Sequence, residues 1–89
     1  MRMQDKIETK LRAGLEPLSL AVSDDSHAHA GHSGAREGGE THFSVDIVSS
    51  SFVGKNRVAR HRMVNELLKE EFAAGVHALA VKARAPGEA

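Results

Sequence analysis

Residues 76–84 read Val76-His77-Ala78-Leu79-Ala80-Val81-Lys82-Ala83-Arg84. From His77 onward, Leu79, Val81 and Ala83 alternate with Ala78, Ala80 and Lys82, the two-residue period of a half-buried strand. Upstream, Met63, Val64, Leu67, Leu68 and Phe72 fall on one helical stripe, with Glu66, Lys69 and Glu70 on the wet side. One long helix over about residues 57–73 is expected, stopped by Gly75, which suits a C-terminal cap. A helix that leads straight into a strand is a crossover. The last strand is therefore expected to lie parallel to the strand before the helix, by a right-handed connection.

That preceding strand is read from Phe43, Val45 and Ile47, which alternate with His42, Ser44 and Asp46. Ser49-Ser50-Ser51 ends it, and Phe52-Val53-Gly54 reads as a short helical turn. Further back, Leu18, Leu20 and Val22 alternate with Ser19, Ala21 and Ser23, a first strand antiparallel to the second. Met3, Ile7, Leu11 and Leu15 line one face of an opening helix. Gly14 and Pro17 are expected to end it, the glycine by accepting the left-handed cap. Residues 25–40, rich in Gly, His, Ser and Ala, show no periodicity. They read as a long mobile hairpin loop, well above the usual 2–5 residues. The pattern predicts an α+β fold: a two-layer sandwich, αββααβ, with a three-stranded mixed sheet. One domain is expected over residues 1–85, followed by a flexible polar tail, 86–89.

The chain has 89 residues, 12 Lys and Arg, 12 Asp and Glu, and a formal net charge of zero. It contains three Phe but no Trp or Tyr, so aliphatic side chains must supply most of a core whose margin is thin. Overall neutrality gives no global field for nucleic acid or anionic lipid. No apolar stretch approaches the roughly 20 residues of a membrane span, and the charged start Met1-Arg2-Met3-Gln4-Asp5-Lys6 is not expected to act as a signal peptide. With no cysteine for disulfides, a cytoplasmic protein without membrane contact is expected. No nucleophile–base set, phosphate loop or zinc-hydrolase motif points to an enzyme. Asp24-Asp25 beside the loop histidines reads as a turn cap.

Six histidines and no cysteine leave imidazole as the soft-metal ligand. His27, His29, His32 and His42 lie in or beside the loop, and His77 opens the last strand. The loop spacing allows two imidazoles to reach one zinc or nickel ion, without forming a closed four-ligand motif. Taken alone, a histidine at the head of a strand is more often packed or hydrogen-bonded than ligating. Lys55, Arg57, Arg60 and Arg62 form the one local basic cluster. At the first turns of a helix such cations oppose the dipole, so a partner anion would compensate them.

Arg60-His61-Arg62-Met63-Val64, then Leu67, Leu68, Glu70 and Glu71, then Val76-His77-Ala78-Leu79 resemble the signature of the BolA-like family. Ser23-Asp24-Asp25-Ser26, Glu40-Thr41-His42-Phe43 and Val48-Ser49-Ser50-Ser51-Phe52-Val53-Gly54 are similar to its earlier blocks, in order and spacing, over nearly the whole chain. The resemblance implies a type II KH-like fold. It also implies a heterodimer with a monothiol glutaredoxin that shares a bridged 2Fe–2S cluster, held on the far side by the glutaredoxin cysteine and glutathione. The family's ligands are the histidine opening the last strand, here His77, and a His or Cys from the loop after strand one. Lacking Cys, this chain would be of the histidine-loop type. His42 is the expected second ligand, with His27, His29 and His32 as loop alternatives. Arg60, His61, Arg62, Val76 and Ala78 are the expected partner-binding surface. Alone, the chain is expected to be apo and either a monomer or a weak homodimer.

Neutral imidazoles in place of thiolates raise a cluster's reduction potential. Protonation can release them, which suits cluster assembly, trafficking or iron and redox sensing. The alternative is a nucleic-acid-binding transcriptional regulator. KH-like folds approach phosphate through a Gly-x-x-Gly loop. The corresponding Gly54-Lys55-Asn56-Arg57 has one of the two glycines. DNA would then meet Gly54, Lys55, Arg57, Arg60 and Arg62, although the lack of Trp and Tyr argues against binding by base stacking.

Overall fold

The computed structural model of the chain describes residues 2–25 and 42–88. Helix α1 spans Met3–Leu15 and buries Ile7, Leu11 and Leu15 on the expected four-residue spacing. It begins where the Asp5 carboxylate accepts from the Arg2 backbone N–H at 3.3 Å. It ends at Glu16, which takes the left-handed conformation (φ 43°) and donates its N–H to the Arg12 carbonyl at 3.1 Å. Gly14 is therefore not the cap. A Cβ at Gly14 would lie 2.6 Å from both methyl carbons of Leu67, so glycine here lets α1 approach the second helix.

Strand β1 is Ser19–Asp24 and β2 is His42–Val48, paired antiparallel from Ser19↔Val48 to Asp24↔Phe43. Central β2 buries Phe43, Val45 and Ile47, as the alternation requires, and edge strand β1 half-buries Leu20 and Val22. Leu18, read as part of the inward set, is 73 % exposed because it precedes the first paired residue. After β2, Ser50–Phe52 forms a single 3-10 turn, slightly earlier than expected, nucleated by Ser49, whose side chain accepts the Ser51 N–H. Phe52 is completely buried.

The long helix is two. α2 covers Arg57–Leu67, started by Asn56 Oδ1 accepting the Ala59 N–H at 2.8 Å, and α3 covers Lys69–Ala74. Leu68 (φ −103°, ψ 16°) separates them, its N–H shared between the Val64 and Asn65 carbonyls at 3.2 Å each. No glycine or proline marks the break, and Leu68 itself is a good helix former. Val64 and Leu68 are buried as expected, while Met63, Leu67 and Phe72 pack half-buried around them. Glu71 is a buried carboxylate, 3.0 Å from Lys10 Nζ, and ties α3 to α1. That bond, more than the bond to exposed Glu70, raises the Lys10 pKa above its ordinary value.

Gly75 (φ 130°) ends α3 and β3 runs over Ala78–Arg84, parallel to β2 with His42↔Ala78 and Val48↔Arg84 in register. The sheet order is β1-β2-β3, with the helices packed on one face around Ile7, Leu11, Phe43, Ile47, Phe52 and Val64. This is the mixed two-layer α+β sandwich expected. Each sheet edge is stoppered at one carbonyl by a helix side chain. Gln4 Nε2 donates to Val22 O at 2.8 Å on β1, and Arg60 Nη1 donates to Ala83 O at 3.2 Å on β3. On each edge the cover reaches that one carbonyl. As far as Glu88 the expected tail is a turn. The Glu88 carboxylate accepts the Ala85 N–H at 2.9 Å and both Arg60 terminal nitrogens at 2.5 and 2.9 Å. Among the described residues no helix is long and apolar enough to cross a membrane. The expected loop over residues 25–40 lies, apart from Asp25, outside the described residues.

Candidate metal centre

Parallel pairing brings two remote histidines to one rim. His42 is the first residue of β2 and stands opposite Ala78, so His77 comes one residue ahead on the neighbouring strand. Adjacent strands lie about 4.8 Å apart. The two imidazole ring centres are 6.3 Å apart, tilted by 46°. His42 shares the open face of the sheet with Ser44 and Asp46 and is half-buried. His77 has the parity of Leu79, but it lies before the strand. Val76 takes the buried position there, leaving His77 exposed.

Asp25 fixes the backbone at this rim. Its N–H donates to the His42 carbonyl at 2.8 Å, and its carboxylate accepts the hydroxyls of Ser23, at 2.9 Å, and Ser44. These bonds tie the end of β1 to the start of β2; the turn that the acid pair was expected to cap lies outside the described residues. Two imidazoles on one ion, with bonds of about 2 Å in tetrahedral arrangement, place their ring centres about 5 Å apart. Rotation about the side-chain torsions covers the difference from the observed separation. Among the described residues no third His, Cys, Asp or Glu joins the pair into a metal-binding group. Two imidazoles would fill half of a four-coordinate sphere. His27, His29 and His32 lie outside the described residues.

The basic cluster divides. Lys55, Arg57 and Arg62 are exposed, whereas the Arg60 side chain is only 13 % exposed. Arg60 grips Glu88, reaches Ala83 O and lies 5.9 Å over the Phe52 ring. The hydrogen bond from Arg60, then that from the Ala85 N–H, holds the Glu88 carboxyl down at about 2. Arg60 thus serves the fold, and nothing in its local sequence reveals a partner 28 residues away. Val76, expected on the docking surface, belongs to the core, while Ala78 is exposed beside the histidines and His61 is half-buried. Gly54 adopts φ 76° with open space around it, so its glycine serves the turn and not a close approach.

The architecture and this corner define a small α+β module with a half-buried and an exposed imidazole side by side at the head of two parallel strands. The chain belongs to the family of BolA-like proteins, whose model matches residues 11–88. A Sinorhizobium protein described only as uncharacterized, in the cobS 5′ region, is 52 % identical over 99 % of this chain and 96 % of its own length. The solved structure of BolA1 from Arabidopsis thaliana superposes with a TM-score of 0.87 at 40 % identity, covering 100 % of this chain and 98 % of that one. The DNA-binding transcriptional regulator BolA of Escherichia coli is 42 % identical over 91 % of this chain and 73 % of its own length. Other curated relatives are longer, and the chain spans only 24 % and 53 % of two of them.

Proposed function

We propose that this chain is a non-enzymatic partner of a monothiol glutaredoxin and that His42 and His77 hold its side of a shared 2Fe–2S cluster. The glutaredoxin cysteine and glutathione complete the ligand set on the other side. When bound, the cluster supplies electron and iron–sulfur transfer chemistry. The chain supplies two neutral, releasable donors on a rigid rim. The observation that carries this role is the 6.3 Å separation of the two rings. The exposure of His77 and the lack of a third donor among the described residues agree with it.

The test is cluster reconstitution with a monothiol glutaredoxin and glutathione, followed by visible circular dichroism and by EPR of the reduced state. The wild-type pair is expected to give a heterodimer spectrum distinct from that of the glutaredoxin alone. His42→Ala with His77→Ala is expected to return the spectrum to the glutaredoxin form. His42→Cys should keep the cluster and lower its potential, because a thiolate adds negative charge. An unchanged spectrum in the double alanine variant rules the ligand pair out.

A second role, DNA binding, is favoured by the likeness to the Escherichia coli regulator and by the exposed cations Lys55, Arg57 and Arg62. Neutralising these three would lower the slope of log affinity against log salt by about one for each phosphate that a cation no longer meets. A slope that does not move excludes this surface.

A further inference from the structure

We propose that the free edge of β3 and the cationic cleft beside it bind an acidic peptide segment, added to the sheet as a fourth strand. β3 is an edge strand. Its backbone groups alternate: the Arg84 carbonyl faces inward, accepting the Ser49 N–H at 3.0 Å, and the Ala83 carbonyl faces outward to Arg60. By that alternation Leu79 and Val81 also direct their N–H and C=O outward. Among the described residues neither Leu79 nor Val81 has an outward hydrogen-bond partner. Arg60 closes the edge at Ala83 only, so a stretch of unpaired donors and acceptors remains, which is a template for strand addition.

Charge selects the occupant. A cleft of about 290 Å³ lies between α2 and β3, lined by Arg57, Arg60, His61, Lys82, Arg84 and Glu88. Arg60 is neutralised by Glu88, and Arg84 by Asp46 at 2.7 Å. Arg57 and Lys82 have no anionic partner among the described residues. They flank the free edge from opposite sides, Arg57 from the helix layer and Lys82 from the open face of the sheet. An added strand presents alternate side chains to those two sides, so acidic residues of either parity meet a cation. A second copy of this chain fits badly, because pairing β3 with β3 sets these cations against their own counterparts. A nucleic-acid strand fits badly too. Phosphates only accept hydrogen bonds, whereas half of the free edge groups are carbonyls, and of the rings at the cleft among the described residues Phe52 is buried under Arg60 and His61 is half-buried. Along the strand Leu79 lies about 7 Å and Lys82 about 17 Å from His77, and neither the outward backbone groups nor the two cations belong to the histidine pair.

The test uses the full chain, labelled with nitrogen-15, titrated with the peptide Glu-Val-Asp-Val-Glu-Val-Asp. The amides of Leu79 and Val81 are expected to shift, and their hydrogen exchange to slow at least tenfold. Arg57→Glu with Lys82→Glu, two exposed positions, should weaken the peptide at least tenfold and confer binding of Lys-Val-Lys-Val-Lys-Val-Lys. Val81→Pro should abolish binding while the even-numbered amides of β3 keep their protection, since the ladder to β2 does not use the Val81 N–H. Unmoved Leu79 and Val81 amides overturn the proposal. So does an equal response to an oligo(dT) eight-mer, which would mark a nucleic-acid groove. Shifts that follow protein concentration without peptide would mark self-association and overturn it as well.

Discussion

Phe52→Ala is expected to lower the free energy of unfolding by about 4 kcal/mol, as truncation of a fully enclosed phenylalanine does. The ring is completely buried and sits in the one short turn that links β2 to α2. Removing it empties a space bounded on all sides, and the neighbours are fixed by the sheet ladder and by α2, so the void cannot close. The ring is also the platform under the Arg60 guanidinium, which holds both Ala83 O and Glu88. The variant should therefore loosen the last turn as well, with faster exchange at the Glu88-linked Ala85 amide. For a domain of this size the expected loss is a large part of the total stability. Urea denaturation checks it through the midpoint at constant slope. A loss below about 1.5 kcal/mol would mean that the surrounding core collapses into the space.

Ser49→Ala should cost about 2 kcal/mol although it deletes one oxygen. Ser49 is fully buried, its hydroxyl donates to the Leu15 carbonyl at 2.6 Å, and it accepts the Ser51 N–H at 3.1 Å. Its backbone N–H meets Arg84 O. One residue thus joins the end of α1, the end of β2, the 3-10 turn and the end of β3. Alanine leaves the Leu15 carbonyl buried without a partner, and that desolvation is the main cost. Ser50→Ala, next door but exposed, should change stability by less than about 0.5 kcal/mol. Equal effects at the two positions would show that the hydroxyl of Ser49 carries no such burden.

The strands were legible because burial imposes a period of two on Phe43, Val45 and Ile47 and on Leu79, Val81 and Ala83, with little interference. The parallel crossover followed from chain order alone. The break at Leu68 was not legible, since helix propensity there is uninterrupted. Glu71 was missed for a different reason. Its partner, Lys10, stands 61 residues earlier, and only tertiary packing sets the two 3.0 Å apart. Gly14 looked like a cap because glycine serves both caps and close approaches. Local sequence does not tell the two apart until Leu67 is placed against it. For the candidate site, the identities of His42 and His77 were available in advance, but their convergence was not. It depends on the register His42↔Ala78, and a slip of one residue would carry one ring to the other face.

Because each imidazole hangs from the opening of a strand whose position the ladder dictates, the pair's spacing is independent of the length of chain that precedes His42. Segments of quite different size and composition between Asp25 and His42 can be grafted into this scaffold while the corner keeps its shape. Such grafts are expected to change access to the pair and to leave its spacing as it is.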